Sequence, residues 1–74
     1  MSNADKSFYE LGYEKEERNK ADVYVKNCKY ITRQIGFNNE IKNIMIDVHY
    51  ITVQELKAIN EKIKELGWLG DTNE

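Results

Sequence analysis

Apolar positions change their spacing along this chain, from near-alternation in the middle to steps of three and four towards the end. The clearest stretch is 52–68, TVQELKAINEKIKELGW. Val53, Leu56, Ile59, Ile63 and Leu66 recur there at helical spacing, with Gln54, Lys57, Glu61, Lys62, Lys64 and Glu65 on or near the other side. Thr52 and Glu55 stand at capping-box spacing, so each can satisfy a free backbone N–H of the first turn. Gly67 follows the stripe and can take the left-handed conformation, which would let Trp68 lie back on Ile63. The pattern predicts one amphipathic helix, a rod of roughly 22 Å that fits across a small sheet.

Ahead of it, residues 5–11 predict a short helix with Asp5 as N-cap and with Phe8 and Leu11 plugging one end of the core. Its ending, Leu11-Gly12-Tyr13, repeats the chemistry of Leu66-Gly67-Trp68. Residues 13–18 read as a charged edge strand, because Glu14, Lys15, Glu16, Glu17 and Arg18 discourage pairing with a neighbour. Residues 21–26, 29–37 and 40–48 read as further strands, with turns at Asn19-Lys20, Asn27-Cys28 and Asn38-Asn39. The expected architecture is α+β: a short N-terminal helix, a three- or four-stranded antiparallel meander, and one long C-terminal helix packed on one sheet face. Val23, Val25, Ile31, Ile35, Phe37, Ile44, Ile46 and Val48 are assigned to the helix-facing side. Tyr24, Tyr30, Thr32, Gln34 and Met45 are assigned to the uncovered side. Arg33 falls among the apolar positions, to be accommodated by snorkelling or by a bulge at Gly36.

Seventy-four residues make one domain, expected over 5–69, with a flexible tail at 70–74. Met1 to Ala4 read as the remnant of an expression tag and are set aside from the fold. A chain this short buries only about 60% of its unfolded surface, so a well-made core or a partner chain is needed. The single cysteine excludes an internal disulfide and fits a reducing compartment, hence a cytoplasmic protein. No apolar run approaches the ~18 residues of a membrane span.

Phe8, the run Leu11-Gly12-Tyr13-Glu14-Lys15, and the segment 51–68 together carry a resemblance. The pattern, IT-x-QEL-x-AINEKIKELGW above all, resembles a group of short uncharacterised proteins encoded by phages and prophages of low-GC Gram-positive bacteria. That resemblance implies a phage-related accessory setting and brings no activity and no site residue.

Little in the chain points to catalysis. His49 is the only histidine and lies two residues from Asp47, a spacing that reads as a solvated loop rather than an acid–base pair. Cys28 stands between Lys26 and Lys29 with no histidine nearby, and reads as a bystander thiol. The four glycines are single, and no metal-ligand spacing occurs. The expectation is a non-enzyme with no cofactor and no metal.

Binding is the better reading. Between 13 and 42 there are seven basic residues against five acidic ones, a thin surplus for holding a phosphate backbone. A stacking platform for single-stranded nucleic acid on Tyr24 and Tyr30 is therefore the second reading. The first is a protein–protein interaction module whose surface includes Tyr24, Tyr30, Thr32 and Met45, since Tyr and Met favour interfaces. The edge of strand 40–48 offers a route to a homodimer. The competing expectation is a monomer in which 49–51 and the N-terminal helix cover that edge.

Overall fold

A computed structural model describes residues 2–68, and the expected tail at 70–74 lies outside them. The elements run α1 (Asn3–Glu10), β1 (Glu14–Arg18), β2 (Ala21–Asn27), β3 (Thr32–Asn38), β4 (Asn43–Asp47) and α2 (Val53–Leu66). The strands form one antiparallel sheet in the order β1-β2-β3-β4. This is the α+β meander the periodicity predicts.

Both helices end as their glycines require. Gly67 has φ 73°, and the N–H groups of Gly67 and Trp68 donate to the carbonyls of Lys64 and Ile63. Gly12 has φ 96°, and Gly12 and Tyr13 donate in the same way to Tyr9 and Phe8. Each stop throws the following aromatic back onto the core, Tyr13 fully and Trp68 in part. At the other end of α2 both halves of the Thr52–Glu55 capping box are made.

The start of α1 differs from expectation. Its N-cap is Ser2, whose hydroxyl accepts from the Asp5 N–H, and Asp5 lies inside the first turn. Residues 2–4, set aside above, thus belong to the fold: Ala4 is buried and its N–H donates to Glu65 of α2 at 3.0 Å. Strand β4 is also shorter than the apolar run suggests. The Asn38 side chain accepts from the N–H groups of Glu40 and Ile41, so residues 39–42 form a loop closed by Lys42 at φ 55°. Strand β3 starts late as well, because 28–31 close a turn in which Cys28 donates to the Ile31 carbonyl at 2.8 Å.

Residues opposite one another in an antiparallel pair share a face. One row therefore runs Lys15, Tyr24, Ile35, Ile46 and its neighbour runs Glu17, Asp22, Phe37, Ile44, both towards the helices. The row Glu16, Val23, Gly36, Met45 lies on the open face. Strand β2 is thus inverted relative to the sequence assignment: Tyr24 points into the core, and Val23 and Val25 point away from it. The reason lies in β3. With Ile35 and Phe37 inward, the register sets Tyr24 opposite Ile35. A tyrosine ring also buries more apolar surface than a valine, provided its hydroxyl finds a partner at the rim.

The core is aromatic. Phe8 stacks on Tyr24 with ring centroids 4.0 Å apart, and meets Tyr13 and Phe37 edge-on. Ile35, Ala58 and Ile59 complete it. Each fully buried side chain of this size contributes about 1.5–3 kcal/mol.

Candidate interaction surface

The exposed surface follows from how α2 is turned. Its buried residues are Glu55, Ala58, Ile59 and Lys62, with Ile63 and Leu66 half-buried. Val53 and Leu56, assigned to the core by periodicity, are 65% and 50% exposed. Two causes rotate the helix. Helix α1 packs on the flank bearing Ala58, Glu61 and Glu65, where small residues allow close approach: Ala4 and Ala58 are both buried, and the Ser7 hydroxyl donates to Glu61. The second cause is charge, because Glu55 and Lys62 both have opposite charges waiting on the sheet.

Glu55 meets Arg33, the misfit of β3. The guanidinium donates to both Glu55 oxygens at 2.8 and 2.9 Å, to the Tyr13 hydroxyl at 3.2 Å and to the Tyr50 carbonyl at 3.0 Å. It also lies over the Tyr50 ring, 4.7 Å from the centroid. The Tyr13 hydroxyl donates to Glu55 at 2.6 Å. Burial pushes the Glu55 carboxyl upward, but the Thr52 N–H, the Tyr13 hydroxyl and Arg33 outweigh it and hold it below the usual carboxylate value. Burial and the bond to Glu55 push Tyr13 up to about 12. Arg33 neither snorkels nor sits at a bulge. It is 8% exposed and ties β3 to the first turn of α2.

Lys62 pairs with Asp22 at 3.0 Å and lies over the Tyr24 ring. The Tyr24 hydroxyl donates to Asp5 at 2.6 Å. Burial pushes Asp5 upward, but Tyr24 and Lys15 outweigh that and lower it.

With α1 over the β1 side, the opposite flank of α2 looks towards β4 and carries Leu56 and Ile63. Among the described residues the inward side chains there are only partly covered: Ile46 is 44% exposed and Ile44 half-buried against the core. Tyr50, held by Arg33, is 65% exposed next to Val53 on the same end. Edge strand, helix flank and the 49–52 connection together form an apolar margin along one side of the molecule. Its parts are preset, because the Arg33–Glu55 pair fixes the turn that presents them.

The residues singled out from sequence are dispersed. Tyr24 is 1% exposed beneath α1 and cannot belong to a surface. Tyr30 is 87% exposed in the β2–β3 turn, with Lys29 over its ring. Thr32 is exposed at the start of β3 and donates to Asn27. Met45 is exposed on the open face of β4, in the predicted place. Tyr24 and Tyr30 are therefore not neighbours on one platform. Ile46, Tyr50, Val53 and Leu56 were not singled out as surface, because apolar side chains at core spacing give no local sign of exposure.

Two open grooves carry less. One of about 480 Å³ lies between the helices, lined in part by Ser7, Leu11, Lys57, Glu61 and Lys64. Another of about 350 Å³ is lined by Asp5, Tyr9, Tyr13, Glu14, Lys15 and Tyr24. Of their four acids, Glu10, Glu61, Asp5 and Glu14, Glu61 is engaged by Ser7 and Asp5 by Tyr24 and Lys15. Among the described residues no cluster of His, Cys, Asp and Glu could hold a metal ion, and no helix is long and apolar enough to cross a membrane. His49 is exposed between β4 and α2, and Cys28 is half-buried.

Fold and surface define a two-layer α+β protein with one bare sheet margin. No protein-family model, curated protein or solved structure matches the chain.

Proposed function

We propose that this protein is a small non-enzymatic interaction module that engages another protein chain through the free edge of β4 and the apolar margin beside it. The observation that supports this reading is the exposure of Ile46 on a strand edge that carries no protecting charge on its inner face, together with exposed Tyr50, Val53 and Leu56 in the segment that follows it. A partner strand would gain backbone hydrogen bonds from β4 and apolar contacts from the margin, the two sources of affinity in strand addition. The nucleic-acid reading rested on Tyr24 beside Tyr30, and the burial of Tyr24 takes away that support. The phage or prophage setting rests on the resemblance of the two chain ends alone, and the cytoplasm on the single reduced cysteine.

The test is a comparison of baits in extract from a Gram-positive host. Wild-type protein is expected to retain partners that an Ile46→Lys bait loses and a Glu16→Lys bait, altered on the other sheet edge, keeps. Identical retention by all three baits would sink the proposal.

A further inference from the structure

We infer that the chain docked on β4 is β4 of a second copy, in antiparallel register about Met45; this rests on the reading of the β4 edge as the docking site. β4 reads Asn43-Ile44-Met45-Ile46-Asp47, with Ile44 and Ile46 on the helix side and Asn43, Met45 and Asp47 on the open side. Facing residues of an antiparallel pair share a face. Self-pairing into one continuous sheet therefore allows registers centred on Ile44, Met45 or Ile46 only. The two outer choices pair three residues of the strand; the central one pairs all five.

The central register is also the complementary one. Ile44 faces Ile46 of the second copy on the inner side, twice over, so the four isoleucines make one apolar strip bordered by Leu56 of each copy. Met45 faces its own twin, and a flexible thioether adapts to such a symmetric contact. Asn43 faces Asp47 of the second copy, an amide donor beside a carboxylate. The strand starts with an amide and ends with a carboxylate, so antiparallel pairing sets a donor against an acceptor at both ends of the contact, as an isologous two-fold contact requires.

The other sheet edge could not serve. β1 is Glu14-Lys15-Glu16-Glu17-Arg18, exposed throughout, with Lys15 held to Asp5 of α1. Charge and the neighbouring helix defend it. The chain therefore has one edge open for growth, and two-fold pairing there closes the assembly at two copies.

The test places single cysteines on the open face in a Cys28→Ser background and treats each protein with a short bifunctional thiol linker. Met45→Cys is expected to cross-link to itself. Asn43→Cys is expected to link only when mixed with Asp47→Cys. The side chains of all three positions are exposed, and circular dichroism checks that each variant is folded. Light scattering of the unsubstituted protein is expected to show the mass rising to twice the monomer value with concentration, and Ile46→Lys to hold it at the monomer value. A dimer that links at Asn43 alone, or not at Met45, would overturn the register and with it the inference. A monomer at every concentration would also overturn it. In that last case the bait comparison separates the two ideas. Partners still lost by Ile46→Lys would leave the docking reading standing without the second copy, and retention unaffected by Ile46→Lys would remove both.

Discussion

The two edges of the sheet solve the same problem in opposite ways. β1 carries charge at all five positions, and α1 lies beside it with Asp5 reaching Lys15. β4 carries three apolar residues out of five, and the helix layer stops short of it, leaving Ile46 44% exposed. An unpaired row of backbone groups is a template for another strand wherever side chains permit. The contrast teaches that one small sheet can have one edge guarded by charge and a helix and the other left apolar and half-open. The aromatic core is built from α1, Tyr13, β2, β3 and α2, and β4 adds to it through the half-buried Ile44 while leaving Ile46 partly open.

The sharpest way to break that contrast is at the Arg33–Glu55 pair, which belongs to the covered part. Arg33→Met should cost about 3–5 kcal/mol, since it leaves Glu55 buried without its counter-charge. That is as much as a core of this size supplies, so urea titration is expected to find the variant largely unfolded at 25 °C. Adding Glu55→Leu should restore much of the loss, because the pair itself offsets a large desolvation cost.

Titration probes the same cluster from both sides of neutrality. Tyr13 favours its neutral form in the folded state, with its pKa raised from 10.0 to about 12. Its contribution is complete below pH 10 and lost as pH climbs towards 12. Glu55 and Asp5 are lowered, so theirs is present above the unfolded carboxylate value and lost as pH falls through the folded one. Denaturation midpoints across pH should fall at both ends, and Tyr13→Phe should flatten the alkaline limb relative to wild type.

Smaller effects sharpen the boundary between the two parts. Thr52→Ala removes one half of the capping box and should cost about 1 kcal/mol by thermal unfolding. Ile46→Thr on the bare margin should cost no more than about 0.5 kcal/mol, while removing the association that depends on β4. A large stability loss there would mean that the margin belongs to the core after all.

Legibility in the sequence followed the range of the interactions. The helix stops at Gly12 and Gly67 and the Thr52–Glu55 cap need only residues within one turn, and all were readable. The turn at Asn38-Asn39 was readable but its extension to 42 was not, because the apolar run through Ile41 masks the loop that the Asn38 side chain closes. Tyr24 and Arg33 were misplaced for a longer-range reason. Taken alone, an alternating strand with Val23 and Val25 on one face looks inward on the valine side, and an arginine among isoleucines looks like a defect. Glu55, by contrast, was recognised as a cap, but nothing local said that its carboxylate would also hold an arginine twenty-two residues away.

By itself the sequence determined the order of elements, the C-terminal stops of both helices, the start of α2, the antiparallel meander and the charged character of β1, because backbone capping, turn chemistry and period are local. Only the tertiary structure decided which face of β2 and which face of α2 is buried. Those choices are collective. The register with β3 turns Val23 to the open face, where it is still buried. The packing of Ala58 against α1 and two ion pairs joining α2 to the sheet outweigh the preference of Val53 and Leu56 for the interior and leave them exposed.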